Sequence, residues 1–194
     1  MCKKRIGVLF GGRSEEHEVS LISASSVIRA LDSEKFVPIY IGITRNGKWK
    51  KYDGPTEKIQ DGSWEETATD LEPGHLSEIV DFALPILHGP YGEDGCIQGF
   101  LDTLGIPYGG CGVLASAVSM DKQLFKQLMK ENSLPVCGYI SFTRKEALKD
   151  LRKAALKVME DVGLPCFVKP ANMGSSVGIN KAGTEEKLIK ALKN

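Results

Sequence analysis

Apolar and polar positions along this chain alternate between two periods. Arg5 to Phe10 is a short β-rich run that ends at Gly11-Gly12, and the segment after it sets Leu21, Ala24, Ile28 and Leu31 on one helical stripe. The pattern predicts a strand, a turn and a helix. Phe36 to Ile43 is a second apolar run, and the Asn-Gly signal in Arg45-Asn46-Gly47-Lys48 turns it back toward Trp49 as a small hairpin. Residues 53–75 are polar with scattered Gly and Pro, which predicts a surface excursion. Val80 to Leu87 restores a strand, ends at His88 and opens the loop Gly89 to Gly95. A helix from Cys96 to about Leu104 and a short Ile106-Pro107-Tyr108 strand complete the unit. The expected fold class is α/β: a doubly wound parallel sheet, whose ligands would sit at the carboxyl ends of its strands. The loops after Phe10 and Leu87 both lie there.

From Asp121 the pattern changes. Leu124, Phe125, Leu128 and Met129 mark a helix, Gly138 to Phe142 a strand, and Thr143-Arg144-Lys145-Glu146 spells a capping box. The helix it opens is expected to carry Leu148, Leu151, Ala155, Val158 and Val162 on one face, until Gly163-Leu164-Pro165 stops it. A strand Cys166-Phe167-Val168-Lys169-Pro170 then feeds the small-residue loop Asn172 to Gly178. A strand Val177 to Lys181 and a helix started by Thr184, with Glu185 and Glu186 in its first turn, end the pattern. The boundary falls between residues 112 and 121, which gives expected domains of 1–116 and 117–194, the second an incomplete α+β domain. There is no internal repeat and no low-complexity tract.

Charge narrows the partners. Twenty-five basic residues balance twenty-five acidic ones, so no overall positive field draws nucleic acid or a membrane surface, and a small-molecule substrate is the better default. No apolar run approaches the roughly 20 residues of a membrane span. The first apolar run is broken early by Gly11-Gly12 and reads as a strand, not a signal peptide. Five cysteines, widely spaced and never in a CxxC pair, argue against a disulfide framework and a zinc knuckle. A reducing cytoplasm fits.

The candidate chemistry sits in the loops. Gly11 to Ser20 lacks GxGxxG spacing and sets Glu15, Glu16 and Glu18 where a dinucleotide fold would receive a pyrophosphate, which disfavours NAD. Each acid can serve the dipole of the helix that follows, or point into the cleft to hold an ammonium. His88 ends a strand above a cleft mouth, and Glu93 and Asp94 either support it or only form the turn. Lys122 follows Asp121 at a helix start, where a cation is unfavourable unless an anion is present. Lys169 is expected inside an apolar, water-poor strand, where an ammonium is costly without a partner or ligand. With Gly174, Ser175, Ser176, Val177 and Gly178 just beyond it, the pattern reads as a phosphate clamp. It is not a P-loop, because GxxxxGK[ST] is absent.

At these residues the chain resembles the D-alanine:D-alanine ligases, ATP-grasp enzymes of peptidoglycan synthesis. The matching motifs are Val8-Leu9-Phe10-Gly11-Gly12 with Ser14 to Ser20, Leu87-His88-Gly89 with Gly92-Glu93-Asp94-Gly95 and Gln98-Gly99, Gly105-Ile106-Pro107-Tyr108, Ser119-Met120-Asp121-Lys122, and Val168-Lys169-Pro170 with Gly174 to Gly178. The resemblance implies that ATP phosphorylates the carboxylate of one D-alanine and that the amine of a second attacks the acyl phosphate. It implies that Glu16 holds the first ammonium, that His88 lies near the carboxylate with Glu93 in support, and that Lys122 and Lys169 contact ATP phosphates. Ser175, Ser176 and Val177 would cover those phosphates, with Ser175 hydrogen-bonded toward Glu16. It further implies a homodimer and Mg²⁺ ions. Their ligands match nothing here, so the chain by itself is expected to be inactive. Ligases that join D-alanine to D-lactate or D-serine share these motifs. A non-catalytic fragment that binds a ligand or a partner is the reading from another class.

Overall fold

The computed structural model describes residues 3–174 and 177–193. The chain divides into two compact units, Met1–Ser119 and Met120–Asn194.

In the first unit β1 (Lys4–Gly11) is an inner strand of a five-stranded sheet. It pairs in parallel with β2 (Phe36–Ile43) on one side and with β5 (Phe82–Pro85) on the other. The edge beyond β2 is extended by β3 (Trp49–Tyr52), antiparallel through the Asn46-Gly47 turn, and then by the two-residue β4 (Thr69–Asp70). The register is read from side-chain alternation. Ile6, Val8 and Phe10 face one layer, packed with Leu21, Ala24 and Ile28 of α1 (His17–Ala30). Leu9 faces the other, with Ile41, Ile43 and Ala83, under Ile97 and Leu101 of α4 (Cys96–Thr103). A strand buried on both faces reads as a continuous apolar run, which is why Val8-Leu9-Phe10 shows no alternation.

The segment 53–75 is not a surface excursion. It contains α2 (Thr56–Gln60) and a 3₁₀ turn at Ser63–Glu66, which carry Ile59 and Trp64 into the α1 layer, both fully buried. Trp64 meets Phe10 edge-on at 5.0 Å between ring centres. Its ring packs against Gly42, where a Cβ would stand 2.2 Å from it. Glycine on β2 makes the seat for the indole. A short α3 (Leu76–Ile79) leads into β5, and Arg5 pins the start of that strand. Its guanidinium donates to Asp81 Oδ1 at 2.7 Å and its backbone N–H to Asp81 Oδ2 at 2.8 Å. Tyr108 closes the unit by a bridge to Ala83.

At the opposite end of β1, Ser20 of α1 is fully buried. Its hydroxyl accepts from Gly11 N at 2.8 Å and donates to the carbonyl of Ile86. One side chain thus ties the helix to the ends of two neighbouring strands.

The region read as the boundary holds α5 (Val113–Met120). In the second unit Asp121 caps α6 (Lys122–Glu131), its carboxylate accepting from Gln123 N and Leu124 N, both at 2.9 Å. Gly138 to Phe142 does not form a strand. The only sheet among the described residues of this unit pairs β6 (Cys166–Val168) with β7 (Asn180–Ala182), antiparallel, and Ile140 and Phe142 pack on the core as irregular backbone. The capping box at Thr143 forms as expected, yet the helix it opens is two helices. Asp150 leaves helical geometry (φ −157°, ψ 90°) and caps the second with a bond from Lys153 N at 3.0 Å, so α7 (Arg144–Lys149) gives way to α8 (Leu151–Asp161). α8 and α9 (Glu185–Lys193) supply Ala155, Val158 and Leu188 to a core completed by Cys166 and Ala182. The β7 strand begins at Asn180 rather than Val177, because Gly178 takes φ 71° and turns the chain against Pro170.

Candidate functional site

The carboxyl ends of β1, β2 and β5 release three loops on one edge of the first sheet. Gly11 and Gly12 both have positive φ, 87° and 95°. At Gly11 a Cβ would stand 2.3 Å from the Ile43 carbonyl, and Gly12 N donates to that same oxygen at 2.7 Å, so only glycine lets the first loop cross over β2. Buried His17 has Nδ1 2.7 Å from the Gly12 carbonyl. A carbonyl only accepts, so Nδ1 carries the proton.

Buried Ser14 links two loops. Its hydroxyl donates to the His88 carbonyl at 2.7 Å and accepts from Glu16 N at 3.1 Å. The half-buried Glu16 reaches across to the second loop, where a Cβ on Gly89 (φ 67°) would stand 2.4 Å from its Oε2. His88 Nε2 is 3.1 Å from Ser23 Oγ on α1, and Gly89 N donates to Glu93 Oε2 at 2.7 Å. Glu16, His88 and Glu93, three expected site residues, therefore share one fork. Its other acids are committed or outward. Glu18 is ion-paired with Arg45, whose hydrogen bond holds its carboxyl below the usual range, and Glu15 is exposed. Burial alone would raise the Asp94 carboxyl, but bonds from Tyr91 N at 2.8 Å and Cys96 N at 3.0 Å outweigh it and bring it down. Asp94 is a turn-former.

Beside the fork lies a cleft of about 320 Å³, on the α4 side of the sheet, whose walls include Trp49, Leu87, Ile97 and Phe100 and whose rim carries Arg13 and Tyr91. It is invisible in the sequence, because its rings come from a hairpin and a helix far apart in the chain. Nor do Ser14 and Ser23 stand out in the sequence; for Ser14 the signal is a hydroxyl two residues before an acid at a helix start, the pattern of a side chain bonded to local backbone.

In the second unit Lys122 is half-buried. Its backbone N–H donates to the Ala171 carbonyl at 3.1 Å, and its ammonium to the carbonyls of Ala171 at 3.4 Å and Met173. The structure thus brings Lys122 to the base of the glycine loop. Val177 N donates to the Gly174 carbonyl at 3.0 Å. Ser175 and Ser176 lie outside the described residues. Lys169 corrects the expectation of a water-poor strand: it follows β6, is exposed, and shares a face with Phe167, itself 60% exposed and 5.9 Å from the Lys169 ammonium. Strand alternation sends Cys166 into the core and Phe167 and Lys169 to the other face. Burial therefore gives Lys169 no need of a ligand, and its candidacy stands on its place before the loop. Among the described residues no three His, Cys, Asp or Glu side chains cluster as a metal site would require.

An α/β unit whose mixed sheet carries an acid-bearing fork at its parallel strand ends, followed by an α+β unit with a lysine at the base of a glycine loop, is the construction of the ATP-grasp ligases. Residues 5–111 match the family model for the D-ala D-ala ligase N-terminus, and residues 128–194 the model for its C-terminus. The chain belongs to the D-alanine–D-alanine ligase family. It is 47% identical over 210 residues to the D-alanine–D-alanine ligase of Thermoanaerobacter sp. strain X514, an alignment that takes in 100% of this chain and 57% of that one. It is 44% identical over 216 residues to the enzyme of Ruminiclostridium cellulolyticum, covering 99% and 57%. Among solved structures, the VanG D-Ala:D-Ser ligase from Enterococcus faecalis matches with a TM-score of 0.87 at 35% identity, over 99% of this chain and 59% of its own. The D-alanine–D-alanine ligase from Coxiella burnetii matches with a TM-score of 0.86 at 31%, over 98% and 60%. The chain spans about 57% of the length of these curated relatives.

Proposed function

We propose that this chain supplies the amino-acid fork and part of the phosphate grip of an ATP-dependent ligase that joins two D-alanines for peptidoglycan synthesis, as a cytoplasmic homodimer. The observation that carries the reading is the placement of Glu16. Of the three loop acids it alone lies in the fork with His88, where its carboxylate can pair with an ammonium. Residues 1–116 would form the substrate domain and residues 117–194 the ATP-grasp part.

A carboxylate oxygen of the first D-alanine attacks the γ-phosphorus of ATP, and the bond to ADP breaks. The amine of the second D-alanine then attacks the acyl carbon, the C–O bond to phosphate breaks, and the amine gives up a proton. Glu16 holds the first ammonium, His88 lies near the first carboxylate, and Glu93 keeps the His88 loop in shape. Lys122, Lys169, Ser175, Ser176 and Val177 meet the triphosphate. These are positioning and charge-neutralising roles, which dominate phosphoryl transfer. Mg²⁺ would neutralise the transferring phosphate, but the described residues offer it no ligand set, and no step here passes through it.

Because the fork reads the first substrate, Glu16→Gln should abolish D-alanine binding measured calorimetrically, while L-alanine binds neither form; undiminished D-alanine binding by the variant would refute the assignment. The likeness to VanG, a D-Ala:D-Ser ligase, favours D-serine as the alternative second substrate. Product analysis of a complete ligase with D-alanine, D-serine and D-lactate offered together decides among the three.

A further inference from the structure

We propose that the cleft on the α4 side of the Glu16 fork is a second small-molecule site, one that takes an aromatic carboxylate. Its volume, about 320 Å³, is at the lower end of the range for ligand pockets. Trp49 and Phe100 stand 5.4 Å apart between ring centres and tilt by 50°, and with Ile43, Leu87 and Ile97 they give a flat apolar guest its contact surface. Its polar lining includes Arg13, Asn46, Tyr91 and His88, and the Arg13 side chain packs on Gly47, the neighbour of Asn46. The Arg13 guanidinium lies 5.2 Å from the Tyr91 ring centre and has no ion-pair partner among the described residues. Asn46 uses its amide oxygen to accept from Thr44 Oγ1, which leaves its NH₂ as a donor. A guanidinium fork and an amide NH₂ beside an apolar slot match a carboxylate on a ring.

The cleft shares Gly11, Gly12 and His88 with the loops of the amino-acid fork, the His88 ring being bonded to Ser23 on α1, and two features set the two sites apart. No Asp or Glu lines the cleft, so an ammonium has no partner there and a zwitterionic amino acid does not fit its chemistry. Tyr91, moreover, holds a left-handed backbone (φ 69°), fixed by the Asp94 carboxylate on its N–H. Such a conformation is costly for a tyrosine, and here it sets the phenol ring under Arg13.

The test is an NMR titration of the nitrogen-labelled chain with naphthoate. The expected result is shifts concentrated at the Trp49 indole and at the backbone of Arg13, Tyr91 and Phe100. Arg13→Gln should weaken binding about tenfold, the worth of a charged hydrogen bond, and neutral naphthamide should lose a similar factor on the unaltered chain. Cys96→Phe, which fills the cleft from an exposed position on α4, should remove the shifts. Saturating D-alanine should not displace naphthoate, and Glu16→Gln should leave its affinity unchanged, so failure of the fork assignment does not touch this one. Absence of shifts, shifts scattered over the surface, equal affinity for naphthamide, or displacement by D-alanine would each overturn the proposal.

Discussion

At the scale of single residues, hydrogen-bond geometry separates side chains that the sequence left equivalent. Glu15, Glu16 and Glu18 all sit at a helix start; an ion pair takes Glu18, solvent takes Glu15, and a backbone N–H held by Ser14 directs Glu16 inward. Asp81 shows the same economy in a structural role. The Arg5 guanidinium, helped by the Arg5 backbone N–H, lowers its carboxyl to about 2. A depressed native value stabilises the fold above the unfolded carboxylate pKa, about 4, and this contribution disappears as pH falls toward 2. The urea midpoint of the native chain should therefore exceed that of Asp81→Asn at pH 6, with the gap closing as the pH falls from about 4 to 2; a constant gap over that window would contradict the linkage. Glu16 and Lys122 lie at helix starts and His88 lies beyond a strand end, the settings in which the sequence singled them out, although each residue type also has structural uses there. Lys169 was misjudged: burial depends on whether the neighbouring face is covered, and a strand's own sequence does not say.

Elements were legible where their signals are local. The Gly11-Gly12 stop, the Asn46-Gly47 hairpin and the Thr143–Glu146 capping box all formed, since each is a short-range bond pattern written in adjacent residues. Gly138 to Phe142 failed because a strand needs a partner, and pairing is not encoded in a five-residue run. The 53–75 segment failed in the opposite sense: its few apolar residues, Ile59 and Trp64, are large and fully buried amid polar neighbours. Two substitutions test these accounts. Thr143→Ala should cost about 1 kcal/mol of stability in chemical denaturation, the usual worth of an N-cap. Gly42→Ala should cost more, because the new methyl meets the rigid ring of Trp64 rather than a side chain that can swing aside. Equal losses at the two positions would show that the indole seat yields.

At the scale of the whole molecule, the two units keep separate cores, one on both faces of the β1 sheet and one between β6–β7 and the helices α8 and α9. Calorimetry should resolve two transitions. Trp64→Ala, a core truncation of about 3–5 kcal/mol, should move one of them, and Leu188→Ala the other; a single transition shifted by both variants would show that the units unfold as one. The change of rhythm from Asp121 pointed to a boundary between residues 112 and 121, whereas the α5 helix that lies there was not readable, because Val113 to Met120 is too short a run to declare its period. The buried hydroxyl of Ser20, shared between the ends of β1 and β5, has a kinetic corollary. With the floor beneath the loops clamped in this way, a metabolite should dock in a single bimolecular relaxation whose rate climbs linearly with concentration. Ser20→Ala, by loosening that clamp, should make the same trace level off.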